Sequence, residues 1–273
     1  MAERRKLLVG AWKAYLNHGD AIALARELAS ATQAGGTGGD LGFDLGVCPS
    51  FISIVAVQEV LASTPIRVGA QSLYWETENG AFTSQVTAEQ IADLGCPLVI
   101  LGHSEVRALG ESDADVSRRV RAALAKGIAP IVCIGESMAE RRAGSAESLV
   151  AGQVLAAIDG LSAEQVEGIV FAYEPIWAIK SRDNPEAVPA KPDEANAMHR
   201  AIRDALTDRF GGGLGERVRV LYGGSVGPDN AAEFAGQSEV DGMLVGSASV
   251  KAEKFLGILD AVAAAAAASA TGN

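Results

Sequence analysis

Eight short apolar runs recur along the chain at nearly even spacing, and this beat limits the possible folds more than any other feature. The runs are Lys6–Ala11, Leu41–Cys48, Ile66–Gln71, Pro97–Gly102, Ala129–Ile134, Ile169–Tyr173, Val218–Tyr222 and Val240–Val245. Each is too short for a buried helix and reads as a buried strand. Between them lie stretches of helical period, among them Gly19–Ala31, Val116–Lys126, Ala146–Ile158 and Asp193–Asp208. Strands that alternate with helices build βα units on a parallel sheet. Eight such units in a chain of 273 residues match a closed (β/α)8 barrel in number and length, which makes this an α/β protein. An open doubly wound sheet is the competing arrangement, but no Gly-x-Gly-x-x-Gly follows the first run. Gly35–Gly39 and Gly211–Gly213 read as loops leading into strands. No linker splits the chain, so residues 1–273 are expected to form one domain, with 1–5 and about 262–273 as peripheral tails.

A net charge of −11 argues against a nucleic-acid partner and for a soluble cytoplasmic protein, and it means that an anionic substrate needs a local positive pocket. The three cysteines, Cys48, Cys96 and Cys133, are odd in number, lack metal-ligand spacing and lie in or beside apolar runs, as buried free thiols do. The opening MAERRKLLVGAW has too short an apolar run for a signal peptide. The alanine-rich stretch Ala261–Ala270 is too short and too weakly hydrophobic to cross a membrane, and is expected to be a final helix that frays at its end.

In a (β/α)8 barrel the chemistry gathers at the C-terminal strand ends. Trp12 and Lys13 follow the first run, and His103, Ser104 and Glu105 follow the fourth. Glu174 follows the sixth, Gly223, Gly224 and Ser225 the seventh, and Gly246 and Ser247 the eighth. Pro175 holds Glu174 in extended geometry where a buried strand surfaces, with Ile176, Trp177 and Ile179 beside it. Apolar neighbours of this kind make a carboxylate a useful base near neutrality. Each residue alone has a plainer reading: a surface lysine, a core histidine, a strand-end glutamate in a salt bridge, simple glycine turns. At one barrel mouth they form a coherent set, with glycine-rich amides after the last two strands where this fold often binds phosphate. Glu105 fits a supporting role, pairing with a cation or capping a helix.

Seven strings in order carry a resemblance that spans most of the chain. They are Gly10–Lys13 (GAWK), Gly69–Thr87 (GAQSLYWETENGAFTSQVT), Leu101–Arg107 (LGHSEVR), Pro130–Glu136 (PIVCIGE), Ala172–Ile179 (AYEPIWAI), Leu221–Glu233 (LYGGSVGPDNAAE) and Asp241–Ser249 (DGMLVGSAS). Together they resemble the triosephosphate isomerase family. The resemblance implies a TIM barrel and a cofactor-free, metal-free 1,2-proton shift between a ketose phosphate and an aldose phosphate, in glycolysis and gluconeogenesis. It implies Glu174 as the base, neutral His103 as donor to the enediolate oxygens, and Lys13 as fixed positive charge. Amides at Gly224, Ser225, Gly246 and Ser247, with Lys180 of the lid, are implied as phosphate contacts. A homodimer is implied too, in which the loop carrying Phe82 and Thr83 reaches toward the partner's site.

The sequence departs from the family's pattern at three places. Ala11 stands where the family has asparagine. The lid after Glu174 reads Ile179-Lys180-Ser181-Arg182-Asp183 instead of Ile-Gly-Thr-Gly-Lys, and is about five residues longer, with Pro185, Pro189 and Pro192. Val106 and Gln85 replace an arginine and an acidic residue that bridge subunits in the family, a paired loss that avoids a stranded charge. The remade lid and Ala11 leave two other readings open: a four-carbon substrate such as erythrulose phosphate, or a catalytically weak phosphate-binding or interaction protein. A Schiff-base aldolase is disfavoured, since no lysine lies inside an apolar strand.

Overall fold

In the computed structural model, which describes residues 4–34, 42–180 and 184–271, every apolar run supplies a strand. These are β1 (Leu7–Ala11), β2 (Asp44–Cys48), β3 (Ile66–Val68), β4 (Leu98–Leu101), β5 (Ala129–Ile134), β6 (Val170–Tyr173), β7 (Arg219–Tyr222) and β8 (Gly242–Val245). They lie side by side in the order β3-β2-β1-β8-β7-β6-β5-β4, and each neighbouring pair is parallel. The two ends of that order meet through Ala70, whose N–H donates to Leu98 O at 3.0 Å and whose carbonyl accepts from Ile100 N at 2.9 Å. That closure makes a single (β/α)8 TIM barrel. The third run contributes three residues instead of six. A Cβ at Gly69 would stand 2.2 Å from Leu98 Cδ1, so β3 and β4 approach through bare backbone and join only through Ala70.

The period-2 alternation of strand side chains builds two cores. Leu7, Val9 and Ala11 of β1 pack inside the barrel with Ile100, Ile131, Val170, Leu221 and Leu244. The intervening positions, such as Leu8, Leu45, Val132, Phe171 and Val220, pack outward against the helices. Filling both faces with buried aliphatic side chains, each worth about 1.5–3 kcal/mol, is what forces the sheet to close instead of exposing a face.

Eleven α-helices lie among the described residues: α1 (His18–Ala34), α2 (Ile54–Leu61), α3 (Ala88–Asp93), α4 (Ser104–Arg107), α5 (Asp113–Ala125), α6 (Met138–Arg142), α7 (Ala146–Ala157), α8 (Ala163–Glu167), α9 (Pro192–Phe210), α10 (Ala231–Ala235) and α11 (Ala252–Thr271). The four helices visible from periodicity are α1, α5, α7 and α9. Most of the others run for two turns or fewer, too short to display a 3.6-residue repeat. The starts of α3, α6 and α8 are written in capping residues instead: Thr87, Ser137 and Ser162 each close a reciprocal capping box, as Ser112 does for the longer α5. Pro192 opens α9, and Gly211, Gly212 and Gly213 after it all take positive φ (68°, 58° and 65°), a run of left-handed conformations that glycine adopts without the penalty a Cβ brings.

The inner ends of both expected tails are held to the barrel. Arg4 Nε pairs with Asp241 at 2.8 Å and Arg5 Nε with Asp44 at 3.0 Å. Val262 of α11 is fully buried in the outer core, so the last helix docks past the point where a tail was expected to begin. The Gly35–Gly39 loop lies outside the described residues. Among those residues, no helix is long and apolar enough to cross a membrane.

Candidate active site

Lys13 sits two residues beyond β1 in a left-handed conformation, φ +47°, which costs a residue with a Cβ about 1–2 kcal/mol. Gln71, just past the β3–β4 closure, holds that turn: its Nε2 donates to Lys13 O at 2.8 Å and to Cys48 O at 3.0 Å. The turn aims the Lys13 ammonium across the barrel mouth, where Nζ meets Glu105 Oε1 at 2.7 Å. Burial pushes the Glu105 carboxyl up, but the hydrogen bond and charge of Lys13 outweigh it and leave the group below its usual range.

His103 is the N-cap of α4, and its Nδ1 accepts the backbone N–H of Glu105 at 3.2 Å. An imidazole nitrogen that accepts carries no proton, so the neutral ring keeps its proton on Nε2. That Nε2 lies 3.1 Å from Glu174 Oε1. The other carboxylate oxygen of Glu174 accepts Ser104 N–H at 2.9 Å. Glu174 is only 3% exposed and is enclosed by glycines that admit nothing larger. A Cβ on Gly135 would stand 1.8 Å from Glu174 O, and one on Gly223 would stand 2.9 Å from Glu174 Cγ. The Cys133 thiol behind it is held far above its usual range, first by burial and then by the Glu174 charge.

A cavity of about 360 Å³ opens above these groups, lined by Lys13, His103, Glu174, Lys180, Gly224, Ser225, Gly246 and Ser247. Of the residues expected at the site from the strand ends, Lys13, His103, Glu174, Gly223, Gly224, Ser225, Gly246 and Ser247 reach one space; Glu105 touches it through Lys13 and Ser104 through its N–H to Glu174, whereas Trp12 turns into the outer core. Ala11 lines the same cavity and is itself buried. The Ser225 hydroxyl is engaged by the chain after Glu174, accepting from Lys180 N at 3.0 Å and donating to Ala178 O at 2.9 Å. Ser181, Arg182 and Asp183 lie outside the described residues. Phe82 and Thr83 stand apart from the site of their own chain: Phe82 packs on Tyr74 with ring centroids 5.3 Å apart, and Thr83 is exposed.

Strand-end reasoning passed over two residues. Gln71 is one. The other is Glu136, two residues past β5 and fully buried. Its Oε1 accepts from Tyr173 Oη at 3.0 Å and from Trp177 Nε1 at 2.8 Å. Arg141 lies 4.5 Å above the Trp177 ring and pairs with Glu194 at 2.8 Å in the first turn of α9. Glu136 and Arg141 therefore tie the beginning of the lid to the helix that follows it. Asn184 adds a stitch by donating to Trp177 O at 3.1 Å. The signal was present, since Gln71 closes the third run and Glu136 lies two residues past the fifth, near strand ends as Glu174 is.

The cavity brings together a carboxylate able to take a proton, a neutral N–H donor and a fixed ammonium, which is the equipment for moving a proton beside a carbonyl. The sequence profile described as triosephosphate isomerase matches residues 6–262. A triosephosphate isomerase of Chloroflexus aurantiacus is 46% identical over 257 residues, covering 94% of this chain and 98% of that protein. Those of Roseiflexus castenholzii and Herpetosiphon aurantiacus are 45% and 43% identical, each across 94% of this chain and 97% and 98% of their own length. With fold, strand-end chemistry and relatives in agreement, the chain belongs to the triosephosphate isomerase family.

Proposed function

We propose that this protein interconverts dihydroxyacetone phosphate and glyceraldehyde 3-phosphate, a step of glycolysis and gluconeogenesis, without metal or cofactor. The observation that carries the reading is the His103 ring, whose accepting Nδ1 leaves an Nε2–H beside the Glu174 carboxylate. Glu174 leaves the Ser104 N–H, takes a proton from C1 of the ketose, and the electron pair moves onto the carbonyl oxygen at C2. His103 Nε2–H and the Lys13 ammonium stabilise that oxygen's negative charge. A proton transferred between the two oxygens and the return of Glu174's proton to C2 complete the aldose. Amides of Gly224, Ser225, Gly246 and Ser247, with Lys180, hold the phosphate; that grip on a group remote from the reaction orients the carbons and holds the lid down. Removing one preorganised donor in such a site typically costs about a hundred- to a thousandfold in turnover.

Glu174→Gln, which keeps the shape of the side chain but not its basicity, is expected to lower kcat by at least three orders of magnitude with an unchanged circular dichroism spectrum. Near-normal turnover by the folded variant would remove Glu174 from the mechanism.

A four-carbon substrate such as erythrulose phosphate is the second reading, favoured by buried Ala11, which leaves the cavity without a polar side chain at that position. Comparing kcat/KM for glyceraldehyde 3-phosphate and erythrulose phosphates on purified protein separates the two. We further propose one domain over residues 1–273, acting in the cytoplasm as a homodimer. Supporting the dimer, Tyr15, Phe51, Ile52 and Val55 are exposed on one chain, an apolar set that association would cover. Ser84 at the tip of the neighbouring loop holds φ +68°, a strained shape better suited to a docking contact than to open solvent.

A further inference from the structure

The cavity does not end at the amides of Ser225, Gly246 and Ser247. It continues to where the loop after β7 meets the start of α11, lined there by Val226, Pro228 and Asn230 from the loop, by Lys251 just before the helix and by Lys254 in its first turn. The two elements pack closely, because a Cβ on Gly257 of α11 would stand 3.1 Å from Pro228. At about 360 Å³ the whole space falls within the range that accepts drug-sized ligands, and a three-carbon phosphate leaves much of it unfilled.

The charge in this extension is unusual for the molecule. Most arginines and lysines elsewhere are matched to carboxylates, as Arg4, Arg141, Arg200 and Arg203 are. Among the described residues, the Lys251 and Lys254 ammonium groups have no ion pair, although the chain carries a net charge of −11. Besides Glu174 at the catalytic end, one carboxylate, Asp229, lines the space. It folds back on its own loop, with Oδ1 2.6 Å from where a Gly227 Cβ would stand, and pairs with neither lysine. The first turn of the 20-residue helix α11 begins at Ala252, directly after Lys251, and adds its positive end to theirs.

We propose that Lys251 and Lys254 form a second anion subsite beside the phosphate cradle, fitted to a ligand that carries a diphosphate group. One phosphoryl group occupies the amides of Ser225, Gly246 and Ser247, and the next meets the two lysines. The inference rests on the reading of those amides as the phosphate cradle. A diphosphate then competes with the sugar phosphate and is held by two residues that the isomerisation does not use.

The test compares inorganic orthophosphate and pyrophosphate as inhibitors of isomerisation at constant pH and ionic strength, since screening weakens exposed charges. Pyrophosphate is expected to bind at least tenfold more tightly than orthophosphate. The double substitution Lys251→Gln and Lys254→Gln should cut that margin at least fivefold, while the inhibition constant for orthophosphate stays within twofold. Arg142→Gln, which removes a charge outside the cavity, should leave the margin intact. Equal binding of the two anions by the native protein, or a margin that survives the double substitution, overturns the subsite. So does a parallel loss of orthophosphate binding, which would assign the lysines to the cradle itself. If neither anion competes with the sugar phosphate, the cradle reading fails, and that result is distinct from a cradle that binds orthophosphate without a pyrophosphate margin.

Discussion

His199 makes this protein sensitive to acid in a way the structure allows one to size. It lies in α9, fully buried, against the edge of Tyr173, the residue before Glu174. Its Nδ1 faces Glu239 O at 3.2 Å, and a carbonyl only accepts, so Nδ1 carries the proton. Nε2 is then a buried lone pair with no donor among the described residues, and protonating it would bury an N–H with no acceptor. Burial drives the His199 pKa from 6.5 down to about 4, against the opposing pull of the Glu239 carbonyl and the Asp241 charge; Arg203 and Lys6 push it further down. The folded state therefore binds this proton less readily than the unfolded chain. The associated stability is fully present above pH 6.5 and is lost as pH falls toward 4. At about 1.4 kcal/mol per pKa unit the total is roughly 3.5 kcal/mol, of which roughly 2.5 disappears between pH 7.5 and 4.5. Urea unfolding at those two pH values, at fixed protein concentration, should show that wild type loses about 2 kcal/mol more than His199→Asn, whose amide can still donate to Glu239 O. Carboxylates that titrate in the same window act on both proteins and cancel in the comparison. Equal losses in the two proteins would refute the argument.

Three further substitutions follow from the geometry. Gly223→Ala places a Cβ 2.9 Å from Glu174 Cγ and 3.2 Å from Tyr173 O; displacing the carboxylate by a fraction of an ångström should lower kcat about ten- to a hundredfold, read beside an unchanged circular dichroism spectrum. Ser84→Gly relieves a φ of +68° and should raise stability by about 1 kcal/mol, seen as a higher denaturation midpoint; a lower midpoint would show that the serine hydroxyl does more than the strain takes away. Ala11→Asn restores a polar side chain beside Lys13 and should raise kcat/KM on the triose phosphate by about tenfold or more, the worth of a hydrogen bond to a charged group, while leaving erythrulose phosphate unimproved; no change on the triose would mean that water or another residue already fills that role.

The barrel was legible because eight buried strands must be apolar on both faces and recur at nearly even spacing; a single run alone would not have sufficed, since α2 opens with the equally apolar Ile54-Val55-Ala56-Val57. The catalytic candidates were legible for a related reason: a polar residue directly after such a run has nowhere to go but the barrel mouth. Short helices were not. α3, α6 and α8 run for only five or six residues, and their stability comes from capping boxes and tertiary contact, which leave no periodic trace. The truncation of β3 was equally hidden, since it depends on how close Leu98 comes to Gly69 across the sheet. Nor could spacing reveal that Glu136 and Arg141 brace the lid, because that role arises from Trp177 and Glu194 meeting them in space.

Packing also explains where this chain departs from its family and which departure carries weight. Gly135 and Gly223 are tightly constrained, because a single Cβ on either would press on Glu174. Most substitutions that did occur fall where side chains have room or solvent. Gln85 is exposed, and in the lengthened lid Val188 is 73% exposed. Changes at such positions cost little in the folded chain, so they accumulate without saying much about substrate. Ala11 is different. It is 3% exposed, packs with the barrel interior and lines the cavity that holds Lys13, His103 and Glu174. A polar side chain exchanged for a methyl there alters the hydrogen bonding that a bound molecule meets, and no relaxation of the surface can compensate. We therefore expect the end of β1 to weigh more in substrate preference than the exposed positions of the lid, which the Ala11→Asn comparison on triose and erythrulose phosphates tests.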